Sequence, residues 1–322
     1  MVGTARRLVA GVLLAGVIGA GARAQDYPSH PVTIVVPFSP GGTVDIMGRI
    51  AAEALQGALK QSFIVDNRTG AGGVVGNSVV ARSAPDGQTL LLAPTAFAIV
   101  PYIYKTLPYD PLKDFRPISL MGITSNVMVV SPSLGVSTVQ EFLDLARSGR
   151  RAITYASPGV GTPQHLLVEY FAHQTGIKMQ HVPYAGSSPA LLGLMSGDVS
   201  MMFTDLAPAI PLIQSGKLKA LGVLNPARHP SLPGTPAIAE TVPGFSAVGW
   251  QGLLARAGTP DAIIDKLNAA LVAYLRTPAA AERMRAIGVD VKWSTPGETQ
   301  DWINAQLKTF AQVVPEAGIK PE

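Results

Sequence analysis

At 322 residues, with 47% hydrophobic and 14% charged residues, the chain can build a full core in one large or two medium domains, which excludes a disordered chain. The formal net charge of +4 comes without any Lys/Arg run beyond the N-terminus, so the clustered basic footprint with stacking aromatics of a nucleic-acid binder is missing, and no nucleic-acid partner is expected. The absence of Cys removes disulfides, thiol chemistry and a lipid-anchored cysteine.

Arg6 and Arg7 precede an apolar run from Leu8 to Ala20, and Ala22-Arg23-Ala24 follows it. A charged region, a short apolar segment and an A-x-A-like site are the order of a secretory signal peptide, and the run is short for a membrane span. Cleavage is expected after Ala24, giving a leader over residues 1–24 and a mature periplasmic chain.

Val32 to Val36 is β-branched and bounded by prolines, as a strand buried on both faces would be. It stops at Phe38-Ser39-Pro40-Gly41-Gly42, and a helical pattern follows in which Ile46, Ile50 and Ala54 form one stripe beside Met47, Ala51 and Leu55. A strand entering a helix through glycines leaves unpaired N–H groups and a partial positive charge at the helix start, a seat for a carboxylate or phosphate. Phe63 to Val65 predicts a second strand, Asn67 to Gly73 a second glycine turn, Val74 to Ala81 a helix and Thr89 to Ala93 a third strand. This alternation indicates an α/β fold with a mainly parallel sheet, in which ligands sit at the carboxyl ends of strands.

Pro101 to Pro117 reads as an irregular surface connection, and Ile118 to Ser131 as a long apolar strand crossing into a second domain. Ser137 to Gln140 has capping-box spacing before a helix ending near Gly149. Helix entries are then marked by hydroxyl-Pro pairs at Thr162-Pro163, Ser188-Pro189, Thr259-Pro260, Thr277-Pro278 and Thr295-Pro296, where the hydroxyl caps an N–H and proline at the first helical position loses no bond. Strand candidates are Ala152 to Ala156, Met179 to Pro183, Val199 to Phe203 and Leu218 to Leu224, with Ala247 to Leu254 as a return strand. Three amphipathic helices close the chain. Ile264, Leu267, Leu271 and Leu275 share a face in the first, and Ile303, Leu307, Phe310 and Val314 in the last.

The second glycine turn fails G-x-G-x-x-G because Val75 takes the last glycine position, and no P-loop, nucleophile elbow or histidine metal spacing occurs. No cofactor is expected. Asp45 stands between two roles: a helix-start acid reaching back to the N–H near Gly42, or a partner for a ligand's ammonium or hydroxyl. His165 lies in the first turn of its helix, and Asp205 ends an apolar strand where it can cap the next helix or face a cleft. Ser157 and Thr162 are stronger candidates, because hydroxyls beside free helix-start N–H groups complete an anion cradle. An exported α/β hydrolase or lyase using His165 with Asp45 or Asp205 as acid and base is the alternative from a different class.

Taken together, PFSPGGTVD, NRTGAGG, APDGQTLL, LPYDPLKDF, YASPGVGTPQHL, HVPYAGSSPALLGLMSGDV and WQGLLARAGTP resemble the TctC/Bug family, the extracytoplasmic solute-binding proteins of tripartite tricarboxylate transporters. The resemblance spans essentially the whole mature chain. It implies a two-domain type II periplasmic-binding (Venus-flytrap) fold with mixed sheets, domain 1 comprising residues 25–125 plus 249–322 and domain 2 residues 126–248. It also implies capture of a small carboxylate between them, by a monomer serving membrane transporter subunits or a membrane sensor. The matching binding positions are Phe38, Ser39, Gly41, Gly42 and Asp45 in the first turn and Ala71, Gly72 and Gly73 in the second. Ser157, Gly161, Thr162 and His165 match in the opposite domain, with Tyr184 and Asp205 assigned from motif position alone. The chain departs from the family pattern at Thr69 (usually Pro), Ala185 (frequently Lys), Gly193 (commonly Asp) and Arg256 (usually Pro). Gly48 inside the first helix costs about 1 kcal/mol against Ala.

Overall fold

The computed structural model describes residues 27–160, 162–316, 318 and 321; the expected leader and Gly161 lie outside these. Two mixed sheets, each covered by helices, form two lobes. The first sheet has the order β11-β4-β10-β3-β1-β2, with β1 Val32–Val36, β2 Phe63–Asn67, β3 Thr89–Pro94, β4 Phe115–Thr124, β10 Gly249–Arg256 and β11 Val289–Val291. The second has the order β7-β6-β8-β5-β9, with β5 Asn126–Val130, β6 Thr154–Ser157, β7 Gln180–Pro183, β8 Met201–Asp205 and β9 Lys219–Val223.

Side-chain alternation explains why both sheets are buried on two faces. Val32, Ile34 and Val36 of β1 join one apolar cluster while Val35 joins the cluster on the other face. Met128 and Val130 of β5 likewise face one cluster, Val127 and Val129 another. The expected mainly parallel sheet is corrected to a mixed one. β1 runs parallel to β2 and β3, but β10 is antiparallel to β3 and β4, and β11 to β4, because these strands belong to chain that enters the sheet from the opposite end.

The apolar run over 118–131 is not one strand. It breaks at Ser125, with β4 in the first sheet and β5 in the second, so the chain changes sheet there. The expected irregular connection from Pro101 hides the end of helix α3, Ala96–Ile103. Pro101 sits in its second half, where proline removes one N–H and disfavours a helical conformation for the residue before it, which is why the sequence signal failed.

In the first lobe α1 (Thr43–Leu59) packs on the sheet, and α2 spans Val74–Ala81 as expected. A Cβ on Gly48 would come within 2.5 Å of Val36 Cγ2, so the glycine that weakens α1 is what lets it approach β1. Helices α8 (Asp261–Leu275), α9 (Pro278–Arg285) and α10 (Pro296–Glu316) complete this lobe, and the apolar stripes expected on the first and last are buried.

The second lobe carries α4 (Val139–Ser148), α5 (Pro163–Thr175), α6 (Ser187–Ser196) and α7 (Leu206–Gln214). Hydroxyl caps hold where the hydroxyl precedes the helix directly: Thr162 accepts from His165 N at 3.4 Å, Thr277 from Ala280 N at 3.2 Å and Thr295 from Glu298 N at 3.2 Å. Three expectations are corrected. The α4 box lies one residue later than expected, with Glu141 N donating to Thr138 Oγ1 and Ser137 N to Glu141 Oε2. Helix α6 starts at Ser187, ahead of Pro189, and α8 starts after Pro260, while Thr259 Oγ1 turns back to donate to the Arg256 carbonyl. Leu166 of α5 joins the same apolar cluster as Ile303 and Phe310 of α10, so the lobes touch along these helices.

Candidate functional site

A cleft of about 860 Å³ opens between the lobes, within the usual range for small-molecule sites. Two helix starts border it, one from each lobe: Thr43 and Val44 of α1, and Pro163 and Gln164 of α5 with its cap Thr162. The first-turn N–H groups of a helix lack intrahelical acceptors and carry partial positive charge, so the cleft has anion-favouring ends on both walls. Ile99, Val100, Leu167 and Tyr170 supply apolar surface between them.

Of the fourteen positions singled out from sequence, Phe38, Gly72, Thr162 and Asp205 line this cleft. Ser39, Gly41 and Gly42 are exposed in the loop ahead of α1, and Ala71 is exposed beside Gly72. The second turn is a run of left-handed backbone, with φ of 136° at Gly70, 47° at Ala71, 63° at Gly72 and 105° at Gly73. A non-glycine residue at positive φ is strained, and successive N–H groups in such a turn form an anion-binding concavity; strain of this kind clusters at ligand clamps.

Asp45 is buried and occupied internally. Its carboxylate accepts from Gly41 N at 2.9 Å, Arg49 Nε at 3.0 Å and Asn67 Nδ2 at 3.0 Å, so it fastens the first turn to α1 and β2. Burial pushes its pKa up, but the Arg49, Gly41 and Asn67 hydrogen bonds outweigh that and hold it below the usual range.

In the second lobe Ser157 and His165 lie behind the cleft wall. Ser157 Oγ is 2.6 Å from His181 Nε2 and 3.2 Å from Gly159 N, which fixes the loop entering α5. His165 stacks on His181 with centroids 4.1 Å apart, and His181 stacks on Tyr155 at 4.8 Å, while Tyr155 donates to Glu169. Burial, then the neighbouring His165, pushes His181 down to about 4, and burial lowers His165. Both shifts favour the uncharged imidazoles, and the stack packs behind the α5 start rather than lining the cleft. Tyr184 packs over α6.

Polar residues that the sequence reading passed over occupy the cleft floor. Asn126 and Gln251 line it, are 4% and 6% exposed, and keep amide oxygens with no hydrogen-bond partner among the described residues. Asn126 closes a short polar step, Thr124-Ser125-Asn126, between two apolar runs, and Gln251 interrupts the apolar return strand; those interruptions are the signal that could have found them. Asp205, the cross-strand partner of Asn126, accepts one side-chain hydrogen bond, from Gln164 Nε2 at 3.3 Å, and burial raises its pKa despite that bond. Among the described residues, no Lys or Arg lines the cleft.

The chain matches the tripartite tricarboxylate transporter receptor family over residues 47–319. It belongs to this family. BugT of Bordetella pertussis is 35% identical over 306 residues, covering 94% of each chain. A solved structure of R. palustris Rpa4515 with adipate is 34% identical with a TM-score of 0.77, covering 92% of this chain and all of that one. MatC from Rhodopseudomonas palustris with bound malate is 29% identical with a TM-score of 0.72, covering 89% of this chain and all of that one. The receptor family consists of solute-binding proteins, not enzymes, which disposes of the hydrolase or lyase alternative.

A Cβ at Gly193 would sit 2.2 Å from the Tyr184 hydroxyl, so a side chain there would require Tyr184 to move from its place across α6.

Proposed function

We propose that this receptor is exported by cleavage after Ala24, captures a small carboxylate in the interlobe cleft, and presents the closed form to the membrane subunits of a tripartite-type transporter. The observation that carries the reading is the pairing of two helix starts, α1 and α5, on opposite walls of one cleft, with the strained Ala71-Gly72 turn beside the first. Relatives solved with adipate and malate support a carboxylate ligand.

Residues 25–125 with 249–322 act as one domain and 126–248 as the other, hinging where β4 passes into β5 and where the chain returns ahead of β10. Only contacts made by both walls at once favour closure, so the ligand shifts the population toward the closed form. Dry walls then strengthen each N–H to carboxylate bond. The receptor works as a monomer.

The test is a thermal-shift panel on residues 25–322 with carboxylates and their uncharged amides. A carboxylate at about 100 times its Kd adds about 2.7 kcal/mol of stability, and its amide none. Stabilisation by amide and acid alike would remove the anion seat. Light scattering on the same sample gives the oligomeric state, and X-ray scattering that shows no compaction with saturating ligand would remove the hinge.

A further inference from the structure

The cleft carries helix-start donors on both walls, and its floor has a different chemistry. At the α1 end are helix-start N–H groups and the left-handed turn at Ala71 and Gly72, all donors. The floor near β8 is rich in acceptors. Asn126 turns its amide nitrogen toward the Thr124 carbonyl at 3.5 Å, and because a carbonyl only accepts, the oxygen is the atom of that amide left over. Gln251 donates through Nε2 to Thr124 Oγ1 at 3.1 Å, and its oxygen likewise has no partner among the described residues. Asp205, directly across the ladder from Asn126, adds a carboxylate with no cation paired to it among the described residues.

A buried amide oxygen without a partner is costly, and so is a carboxylate in a closing, drying cleft, unless the ligand supplies what they lack. A second ligand carboxylate would bring like charge and more acceptors to this floor. An ammonium brings charge of the right sign and three donors, which match the two amide oxygens and Asp205.

Resting on the carboxylate reading above, we propose that this cleft selects acids with a single carboxylate whose other polar end is an ammonium or comparable donor, separated from the carboxylate by an apolar body. The carboxylate takes the α1 end, and the donor end reaches Asp205, Asn126 and Gln251. Ile99, Val100, Leu167 and Tyr170 contact the body between.

Two matched sets test this by calorimetry on residues 25–322, stripped of carried ligand by unfolding and refolding. The first is adipate, hexanoate, 6-aminohexanoate and hexylamine; the second is terephthalate, benzoate, 4-(aminomethyl)benzoate and benzylamine. The amino acid of at least one set is expected to bind tenfold or more tightly than the dicarboxylate and the plain acid of that set. Asp205→Asn is expected to remove that preference and raise dicarboxylate affinity. No cap hydrogen bond from Asp205 to α7 is lost in this variant, and circular dichroism checks its fold. If the dicarboxylate binds as tightly as the amino acid in both sets, or Asp205→Asn leaves the ratio unchanged, the selectivity proposal falls while carboxylate capture stands. If the amine alone matches the amino acid, carboxylate capture falls instead, and binding by no compound of either set overturns both. Should Asp205→Asn not fold, the wild-type ratios alone decide.

Discussion

Asp45 lies behind one wall of the cleft and Asp205 lines it, and the two acids differ in what surrounds them. Asp45 is sealed at the start of α1 with a guanidinium, a backbone N–H and an amide nitrogen around it, and its pKa is held low. Asp205, at the end of β8, has one amide hydrogen bond and a raised pKa. The same residue type therefore does two jobs. Where the fold supplies three donors, the acid organises the turn ahead of α1; where it supplies one, the carboxylate keeps spare acceptor capacity at the cleft.

Several changes would break or sharpen that contrast. Asp45→Ala removes a buried acceptor from three donors, of which Arg49 and Gly41 can turn to water, and should cost about 1–2 kcal/mol, read as a lowered urea midpoint. Asp205→Ala should cost well under 1 kcal/mol by the same measurement, since one amide bond is all it loses.

Gly42→Asp tests the anion seat proposed at the turn that Asp45 braces. Gly42 has extended backbone, φ −82° and ψ 168°, and a Cβ there meets nothing closer than Ser39 O at 3.8 Å, so the variant should fold and its helix gain a capping side chain. Carboxylate affinity should nonetheless fall at least tenfold, about 1.4 kcal/mol, because the new charge occupies the α1 end. Unchanged affinity in calorimetry would place the anion elsewhere. On the opposite wall Thr162→Ala removes the cap of α5 and should cost about 1 kcal/mol of stability.

The smallest effect is the pH dependence, where the two acids pull in opposite directions. Asp45, with its folded pKa below the ordinary 3.8, contributes stability that is complete above 3.8 and lost as pH falls through the folded value. Asp205, with its folded pKa above 3.8, holds its proton more tightly when folded; the resulting penalty is absent below 3.8 and grows as pH rises through the folded value. In urea melts between about pH 2.5 and about pH 7, the deficit of Asp45→Asn should shrink toward the acid end, and any gain of Asp205→Asn should vanish there. A gain of Asp205→Asn that persisted in acid would show that its carboxylate is not the source.

Much of this fold was legible because local rules and the final packing agree. Val32 to Val36 and the helix after it declare themselves by β-branching, a glycine stop and a 3.6-residue stripe, and they pack as those signals require. Where long-range packing overrode a local rule, the reading failed. Pro101 argued against a helix that α3 forms against the core with Phe97, Ile99 and Val100. The polar residues Asn126 and Gln251 were not singled out, yet both line the cleft and both bond to Thr124, from strands far apart in the chain. Of the expected site, Phe38, Gly72, Thr162 and Asp205 come together at the cleft, while Asp45, Ser157 and His165 stand behind its walls.

By itself the sequence determined most strands, the glycine turns and the starts of α5, α9 and α10, because β-branched runs, positive-φ glycines and hydroxyl caps act over a few residues. Only the tertiary structure decided which turns share a cleft, which acid is already neutralised and which polar groups are left without partners. Those depend on what lies across the cleft or across the ladder, and the neighbours that satisfy Asp45 and fail to satisfy Asp205 are set by how the sheets assemble.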